Sequence, residues 1–521
     1  MQTSLIMFVV TLATVATINQ DVKNRAFVFF ISALYVFLST AYITADYFSG
    51  SGIDLSVIYH LRQGLSLQDA LKYKGILTLT ILCILMAIMA LLFIIYKKNK
   101  LSFLRSYLSK KTTLTKITIF SGFFLAFSLH PATHDIIFII KSELRDYQIR
   151  HQKIDTLNDS EYKEFSSNIL PLNIQVSPNV KRNIVYLYAE SLERSYFDEK
   201  EFPGLMPRLA QLEKNASSFT NISQAELTGW TIGGLVASQC GMPLTAYTSL
   251  TRLAEGKDLV AENNICLGDF LSSEGYRVIY MGGADLKFAG KGNFFKNHGF
   301  HEIIGREQLL QQNNSAPQSS WGISDNHLFS QSKEKLLALE STQQAYAFFM
   351  LTLDTHSPHG HMTPGCEDKQ YDEGSNTLLN AVACADFLIF DFVSWFLSRP
   401  EFSATTLVVS SDHLAINNSV IARLRNTQKT GRKNLFMVFN SHLPIGMNNK
   451  PGTMLDVTPT LLALLGYQNN GLGLGRNLLR DEKTLREKYK LEKLNSLILR
   501  WKPMIGVNSP HLSSPQTRKP E

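Results

Sequence analysis

The chain has 521 residues, 45% of them hydrophobic, and a net charge of +7. Length alone leaves the domain count open, but the apolar residues crowd into the first 130 positions, which excludes a uniformly water-soluble chain. The basic excess sits largely in one loop and in the tail near "TRKPE". That placement favours anionic lipid over nucleic acid, and no nucleic-acid partner is expected.

Four apolar stretches approach the about 20 residues that a membrane-spanning helix needs: Leu5 to Ile18, Ala26 to Ala45, Gly75 to Tyr96, and Leu114 to Leu129. The opening "MQTS" lacks the basic n-region of a secretory signal, so retained anchors are expected. Between the third and fourth stretches stand Lys97, Lys98, Lys100, Arg105, Lys110, Lys111 and Lys116. The positive-inside bias puts that loop in the cytoplasm and everything beyond about residue 130 on the opposite side.

Of five cysteines, Cys83 falls within an apolar stretch; Cys240, Cys266, Cys366 and Cys384 fall in the expected exported part. An even number in an oxidising compartment suggests disulfides. Proximity favours Cys240 with Cys266 and Cys366 with Cys384, although four cysteines allow three pairings and free buried thiols are the bland alternative.

From about Asp135 to Lys181 the chain is polar and weakly periodic, as in a connector. Strands and helices then alternate. "NIVYLYA", "YRVIYMGG", "AYAFFMLTLD" and "TTLVVSS" are near-continuous apolar strands, and "TGWTIGGLVASQC" is a helix opening at Thr228. Buried strands separated by helices indicate an α/β fold with a mostly parallel sheet covered on both faces. The layout expected is an all-α transmembrane anchor of about four helices over 1–130, a connector over 131–181, a catalytic domain over 182–490 and a tail over 491–521.

Three strand ends carry polar residues that the strands do not need: Glu190, then Asp354 with His356, then Asp412 with His413. Strand C-termini of a parallel sheet share one edge, where α/β proteins place their ligands. Thr228 reads either as an N-cap or as a hydroxyl at a helix N-terminus suited to phosphate.

Glu190 within "YAESLERSYF", Thr228 before "TIGGLVASQCG", His356 in "DTHSPHG" and the pair in "SSDHLA" resemble the sulfatase-like, alkaline-phosphatase-superfamily domain of membrane phosphoglycerol transferases. Members of that group decorate osmoregulated periplasmic glucans, and lipoteichoic acid synthases are more distant relatives. The resemblance runs over about residues 183 to 480 and extends to the anchor layout, including "ADYFSGSGI". It implies that Glu190, Thr228, Asp412 and His413 hold one divalent metal, with Thr228 as nucleophile. Three oxygen donors and one imidazole suit Mn²⁺ or Mg²⁺.

By the same resemblance His356 binds substrate phosphate or protonates a leaving oxygen, and Lys291 stands where the relatives place an arginine on the phosphoglycerol group. Arg476 in "GLGLGR" is a further phosphate-contact candidate. Thr231 is the rival nucleophile; His359 and His361 read as structural or solvent-facing.

The implied activity moves phosphoglycerol from phosphatidylglycerol to a periplasmic glucan through a threonine ester. The implied place is a bacterial inner membrane, multi-pass, with the catalytic domain periplasmic. A phosphoethanolamine or lipoteichoic-acid-type transferase, or a non-catalytic metal-binding scaffold, are the alternatives. A free sulfatase fits less well, because the C/S-x-P-x-R pattern is missing after Thr228. The sequence carries no signal of oligomeric state.

Overall fold

The structure is a computed structural model that describes residues 2–18, 22–49, 52–53, 57, 78, 81, 85, 112–151, 160–244, 265–319, 321–357, 359–416, 420 and 431–505. Most of the third apolar stretch, most of the basic loop and the tail beyond 505 lie outside the described residues. The chain divides into two compact units, Met1–Arg145 and Asp146–Glu521.

The first unit contains helices α1 (Gln2–Ile18), α2 (Val22–Ser49) and α3 (Thr112–Ser128) and the start of α4 (Pro131–His151). Its interior joins a small apolar cluster of Phe8, Tyr35, Phe123 and Ala126 to buried polar contacts, and its exterior is strongly apolar. Ser4 shares a 2.7 Å hydrogen bond with the Tyr35 hydroxyl and donates to the Ala126 carbonyl at 2.7 Å. Ser39 meets His130 at 3.0 Å, and Phe8 stacks on Tyr35. Meanwhile Ile6, Phe37, Phe120 and Phe124 stand exposed. Helices in a bilayer associate through such polar and close contacts because lipid already solvates the apolar faces.

The expected four spans are not all found among the described residues, and most of the third lies outside them. Among the described residues, one helix, Thr377–Leu397, has the length and apolarity to cross a bilayer alone, and it is mostly buried in the second unit. Ile117–Ser128 and Pro131–Lys141 qualify only as a pair, bent by 68°. Here the break follows "LHP", where Pro131 opens the next helix, a position that needs no backbone N–H.

In the second unit β1 (Ile174–Val176) pairs antiparallel with Gln468–Asn469. The main sheet comprises β2 (Asn183–Ala189), β3 (Ser217–Phe219), β5 (Arg277–Gly282), β6 (Glu302–Ile304), β7 (Tyr346–Leu351), β8 (Thr405–Ser411), β9 (Phe436–Phe439) and β10 (Gly446–Asn448). The short β4 (Ile222–Ser223) lies apart, parallel to Gly452–Thr453. The eight strands run in the order β10-β3-β9-β8-β2-β7-β5-β6. All neighbours are parallel except β9, which is antiparallel to β3 and β8. The sheet is therefore mixed, with a parallel centre.

Alternation along β2 explains why its run is apolar throughout. Val185, Leu187 and Ala189 join a core that includes Phe348, Met350, Val409 and, from helix Thr377–Leu397, Ile389, Phe392 and Phe396. On the opposite face, as the period of two requires, Tyr188 donates or accepts at Ser238 at 2.9 Å and accepts from Gln239 at 3.0 Å. Those two residues belong to α6 (Thr231–Cys240), while α5 (Pro207–Glu213) lies against the first core. Each fully buried Phe or Leu adds about 1.5–3 kcal/mol.

Helix α7 (Asp325–Glu340) and helix α8 (Thr377–Leu397) cover the same core. Asn376 caps α8 by accepting from the amides of Leu378 and Leu379, each at 3.1 Å. Cys366 is joined to Cys384 of α8, and Cys240 at the end of α6 to Cys266.

Asp386, buried in α8, accepts from the first-turn amides of α5, Arg208 at 3.1 Å and Leu209 at 2.7 Å, and so caps another helix. Burial pushes its carboxyl up from 3.8 to about 6, against the pull of those amides. Between those values the folded chain binds more protons than the unfolded one, so stability falls as pH rises through that window and is level above it. Melting of wild type and Asp386→Asn from pH 4 to 7 should show the wild type losing ground between about pH 4 and 6; parallel curves would refute the assignment.

Candidate metal centre

The C-terminal tips of β2 and β8 deliver three ligand-type side chains to one point. Glu190 follows β2, and Asp412 and His413 follow β8; the two strands are paired in parallel from Asn183↔Thr405 to Ala189↔Ser411. One ligand atom from each of the three lies within 4.8 Å of the others. All three side chains are buried.

The hydrogen bonding leaves this cluster incomplete. Asp412 Oδ1 accepts from the amides of Ser191 at 2.9 Å and His413 at 2.8 Å, but Oδ2 has no partner. His413 Nδ1–H donates to the Leu414 carbonyl at 2.7 Å, and Nε2 turns inward, also without a hydrogen-bond partner. Nε2 lies 3.3 Å from Glu190 Oε1 and 3.3 Å from Asp412 Oδ2, close but not aligned for hydrogen bonds. Buried polar atoms are rarely left so. A divalent cation would complete them, and fixing the imidazole through its other nitrogen is how metal-binding histidines are oriented. The donor set therefore fits a cation.

The electrostatics agree. Burial pushes Asp412 up, and the Glu190 charge adds to this. Burial opposes charge on both Glu190 and His413, but their attraction, with that of Asp412, outweighs it: the imidazole is drawn up to about 9 and Glu190 is held low, a positive charge that a bound cation would replace. Two carboxylates in a dry pocket thus depend on a nearby positive charge.

Other groups face the same point. Lys291, buried at the start of helix Lys291–Asn297, has its ammonium lowered by burial, with Glu190, Asp412 and Asp285 opposing the shift. His356 Nδ1–H donates to the Ser357 carbonyl at 2.7 Å, and Trp321 stacks on its ring at 3.8 Å between centroids. Burial keeps the imidazole towards its neutral form, against the Glu190 charge. The His356 loop is held by a reciprocal pair: Asp354 Oδ2 accepts from the Asp325 amide at 2.8 Å, and Asp325 Oδ2 from the Asp354 amide at 2.9 Å. Burial pushes Asp354 up to about 7.

The threonines part company. Helix α6 begins at Thr231, with Trp230 in extended conformation as its N-cap residue. Thr228 lies outside the helix, one residue after Leu227, whose φ is +63°. Its hydroxyl donates to the Ala225 carbonyl at 2.8 Å. Thr231 Oγ1, by contrast, donates to Glu190 Oε2 at 3.4 Å, a long bond of the sort that tightens once substrate is bound. The expected helix start is therefore corrected from Thr228 to Thr231, and the threonine hydroxyl hydrogen-bonded to Glu190 is that of Thr231. Helix α6 can approach this closely because position 234 is glycine; a Cβ there would collide with the Asp412 carbonyl.

Arg476 is engaged within the domain. Its guanidinium is spent on main-chain carbonyls, Gly475 at 3.0 Å and Asn168 at 2.8 Å, with Glu482 at 3.7 Å, so it ties the segment before β1 to the body of the domain. His361 donates its amide to the Asp354 carbonyl at 2.6 Å and supports the loop, and His359 is exposed.

A sequence profile described as sulfatase matches residues 182–467, and one described as the N-terminal domain of phosphoglycerol transferase I matches residues 2–144. The chain belongs to the sulfatase family. Among curated proteins it is similar to phosphoglycerol transferase I of Xanthomonas axonopodis pv. citri, 32% identical over 86% of this chain and 61% of the relative. It is likewise similar to phosphoglycerol transferase I of Salmonella choleraesuis, 35% identical over 87% of this chain and 56% of the relative. The chain thus spans less than two thirds of the length of these relatives. Among solved structures, an alkaline phosphatase superfamily protein from Vibrio parahaemolyticus shares the fold, with a TM-score of 0.50 at 20% identity over 67% of this chain and 80% of that one.

For a sulfatase-family centre, the residues that sequence reasoning missed are supports rather than ligands. Buried Glu193 pairs with Arg432 and accepts the Ala415 amide at 3.1 Å, which locks the loop after Glu190 to the loop after His413. The charged "ESLER" was the available signal, three residues past a strand tip. Replacing Arg432 with methionine should leave Glu193 buried and unpaired, destabilise the domain by about 3–5 kcal/mol, and weaken Mn²⁺ binding about 10- to 100-fold. Denaturant titration and calorimetry measure both; unchanged values would show that the pair does not support the centre.

Proposed function

We propose that this chain is a membrane-anchored, metal-dependent transferase that moves phosphoglycerol from phosphatidylglycerol to a periplasmic glucan. The observation that carries this reading is the Thr231 hydroxyl donating to Glu190 beside the unpartnered atoms of Asp412 and His413. The transferred group follows the name of the similar curated proteins, phosphoglycerol transferase I, and the donor and acceptor follow the family resemblance. The large apolar side chains exposed on the first unit, Phe37 and Phe120 among them, support a membrane anchor. Such an anchor keeps the catalytic domain beside a donor that stays in the bilayer. The domain layout 1–130, 131–181, 182–490 and 491–521, and a periplasmic catalytic side, belong to the same proposal.

Glu190, Asp412 and His413 would hold the cation, Mn²⁺ or Mg²⁺, with Thr231 next to it. When bound, the cation supplies Lewis acidity that favours an ionised hydroxyl and offsets phosphate charge. The Thr231 oxygen attacks the phosphorus of the donor; an O–P bond forms and the bond to the diacylglycerol oxygen breaks. His356, its Nδ1 donating to Ser357, takes up a proton at Nε2 from solvent and hands it to that leaving oxygen, while the proton of the Thr231 hydroxyl is released to solvent. Lys291 brings positive charge against the non-bridging oxygens. A glucan hydroxyl then attacks the phosphothreonine ester, yielding its proton as Thr231 is regenerated.

Thr231→Ala should lower transfer by at least about 10³-fold, whereas Thr228→Ala should lose a buried hydrogen bond, about 1 kcal/mol, and keep transfer within severalfold. Labelled phosphatidylglycerol, glucan and Mn²⁺ with purified membranes give the readout as labelled glucan and diacylglycerol. Near-normal transfer by Thr231→Ala would overturn the assignment, and absence of both products in wild type would overturn the activity.

A further inference from the structure

Beside the segment leading to α6, two basic side chains share one hydroxyl. Lys433 Nζ donates to Ser223 Oγ at 2.9 Å, and Arg486 Nε reaches the same oxygen at 3.4 Å. Ser223 is buried, and both cations are half-buried. Other cations nearby are matched: Arg194 with Glu213, Arg432 with Glu193, Lys450 with Glu487. Lys433 and Arg486 form no ion pair with any described carboxylate. Burial, then the Arg486 charge, holds the Lys433 ammonium below its usual range.

The pair is built into the catalytic rim. The Lys433 carbonyl accepts the Arg194 amide at 2.9 Å, four residues past Glu190. Gln224, next to Ser223, accepts through Oε1 from the Leu414 amide at 2.7 Å, one residue past His413. Like charges gathered round a hydroxyl with no counterion repel one another, and an anion relieves this. A guanidinium fork, an ammonium and a hydroxyl offer more donors than one carboxylate uses, and they match the several acceptor oxygens of a phosphate.

We propose that Ser223, Lys433 and Arg486 form a second phosphate-ester subsite, distinct from the metal centre, that holds a phosphate other than the one being transferred. Its placing beside the reaction rests on the phosphoglycerol-transfer reading above; its existence does not. A lipid headgroup or a soluble phosphate ester would present the same chemistry.

The test uses the full chain in detergent with Glu190→Gln, which disables the metal centre, titrated with sn-glycerol 1-phosphate by calorimetry. Saturable binding is expected, about tenfold or more weaker on adding Lys433→Gln or Arg486→Gln, and retained with Lys433→Arg. If a glutamine variant lowers the melting midpoint, Ser223→Ala should weaken binding severalfold at an intact midpoint. No saturable binding, or affinity indifferent to all of these changes, overturns the subsite. In nanodiscs, loss of probe binding in phosphatidylglycerol but not phosphatidylcholine identifies the lipid headgroup as occupant; equal binding in both identifies the soluble ester. Because Glu190→Gln cannot catalyse, failure here is separate from failure of the transfer assay.

Discussion

Three ligand-type atoms, Glu190 Oε1, Asp412 Oδ2 and His413 Nε2, are forced together in a buried pocket, and the rest of the domain is arranged around that conflict. The parallel pairing of β2 with β8 makes the convergence unavoidable, because both strands end at the same edge. The backbone amides of Ser191 and His413 occupy Oδ1 of Asp412 and so turn Oδ2 inward. A site of this kind is preorganised: its desolvation is met during folding, and a cation finds the donors already aimed.

Holding such a pocket requires rigid surroundings. The Glu193–Arg432 pair, the bond from the Leu414 amide to Gln224 and the reciprocal Asp325–Asp354 contacts each tie one ligand-bearing or substrate-facing loop to another. These are buried polar networks whose members are mostly satisfied from the backbone, the condition under which burial of charge stiffens rather than weakens a structure. The disulfide at Cys384 fastens the loop after His356 to α8 in the same manner.

Much of this was readable from the chain. Long apolar β-branched runs ending in Glu190, Asp354 and Asp412 announced both the sheet and its active edge, since a buried strand has no use for an acid at its tip. The β9 reversal was not readable, because "NLFMVF" is equally apolar in either direction. The start of α6 was misplaced by three residues. A threonine before an apolar run is a good N-cap signal, yet the left-handed turn at Leu227 carries the chain round and leaves the cap to Trp230, which has no side-chain oxygen to betray it. Arg476 beside a glycine-rich turn looked like a phosphate contact, but only the folded structure reveals the carbonyls that claim it.

The bare backbone at Gly234 sets the clearance between α6 and the Asp412 carbonyl. Any larger residue would force α6 and the main chain of Asp412 apart, separating the Thr231 hydroxyl from the carboxylates it adjoins. One missing methyl group thus couples helix packing directly to the spacing of the reactive groups.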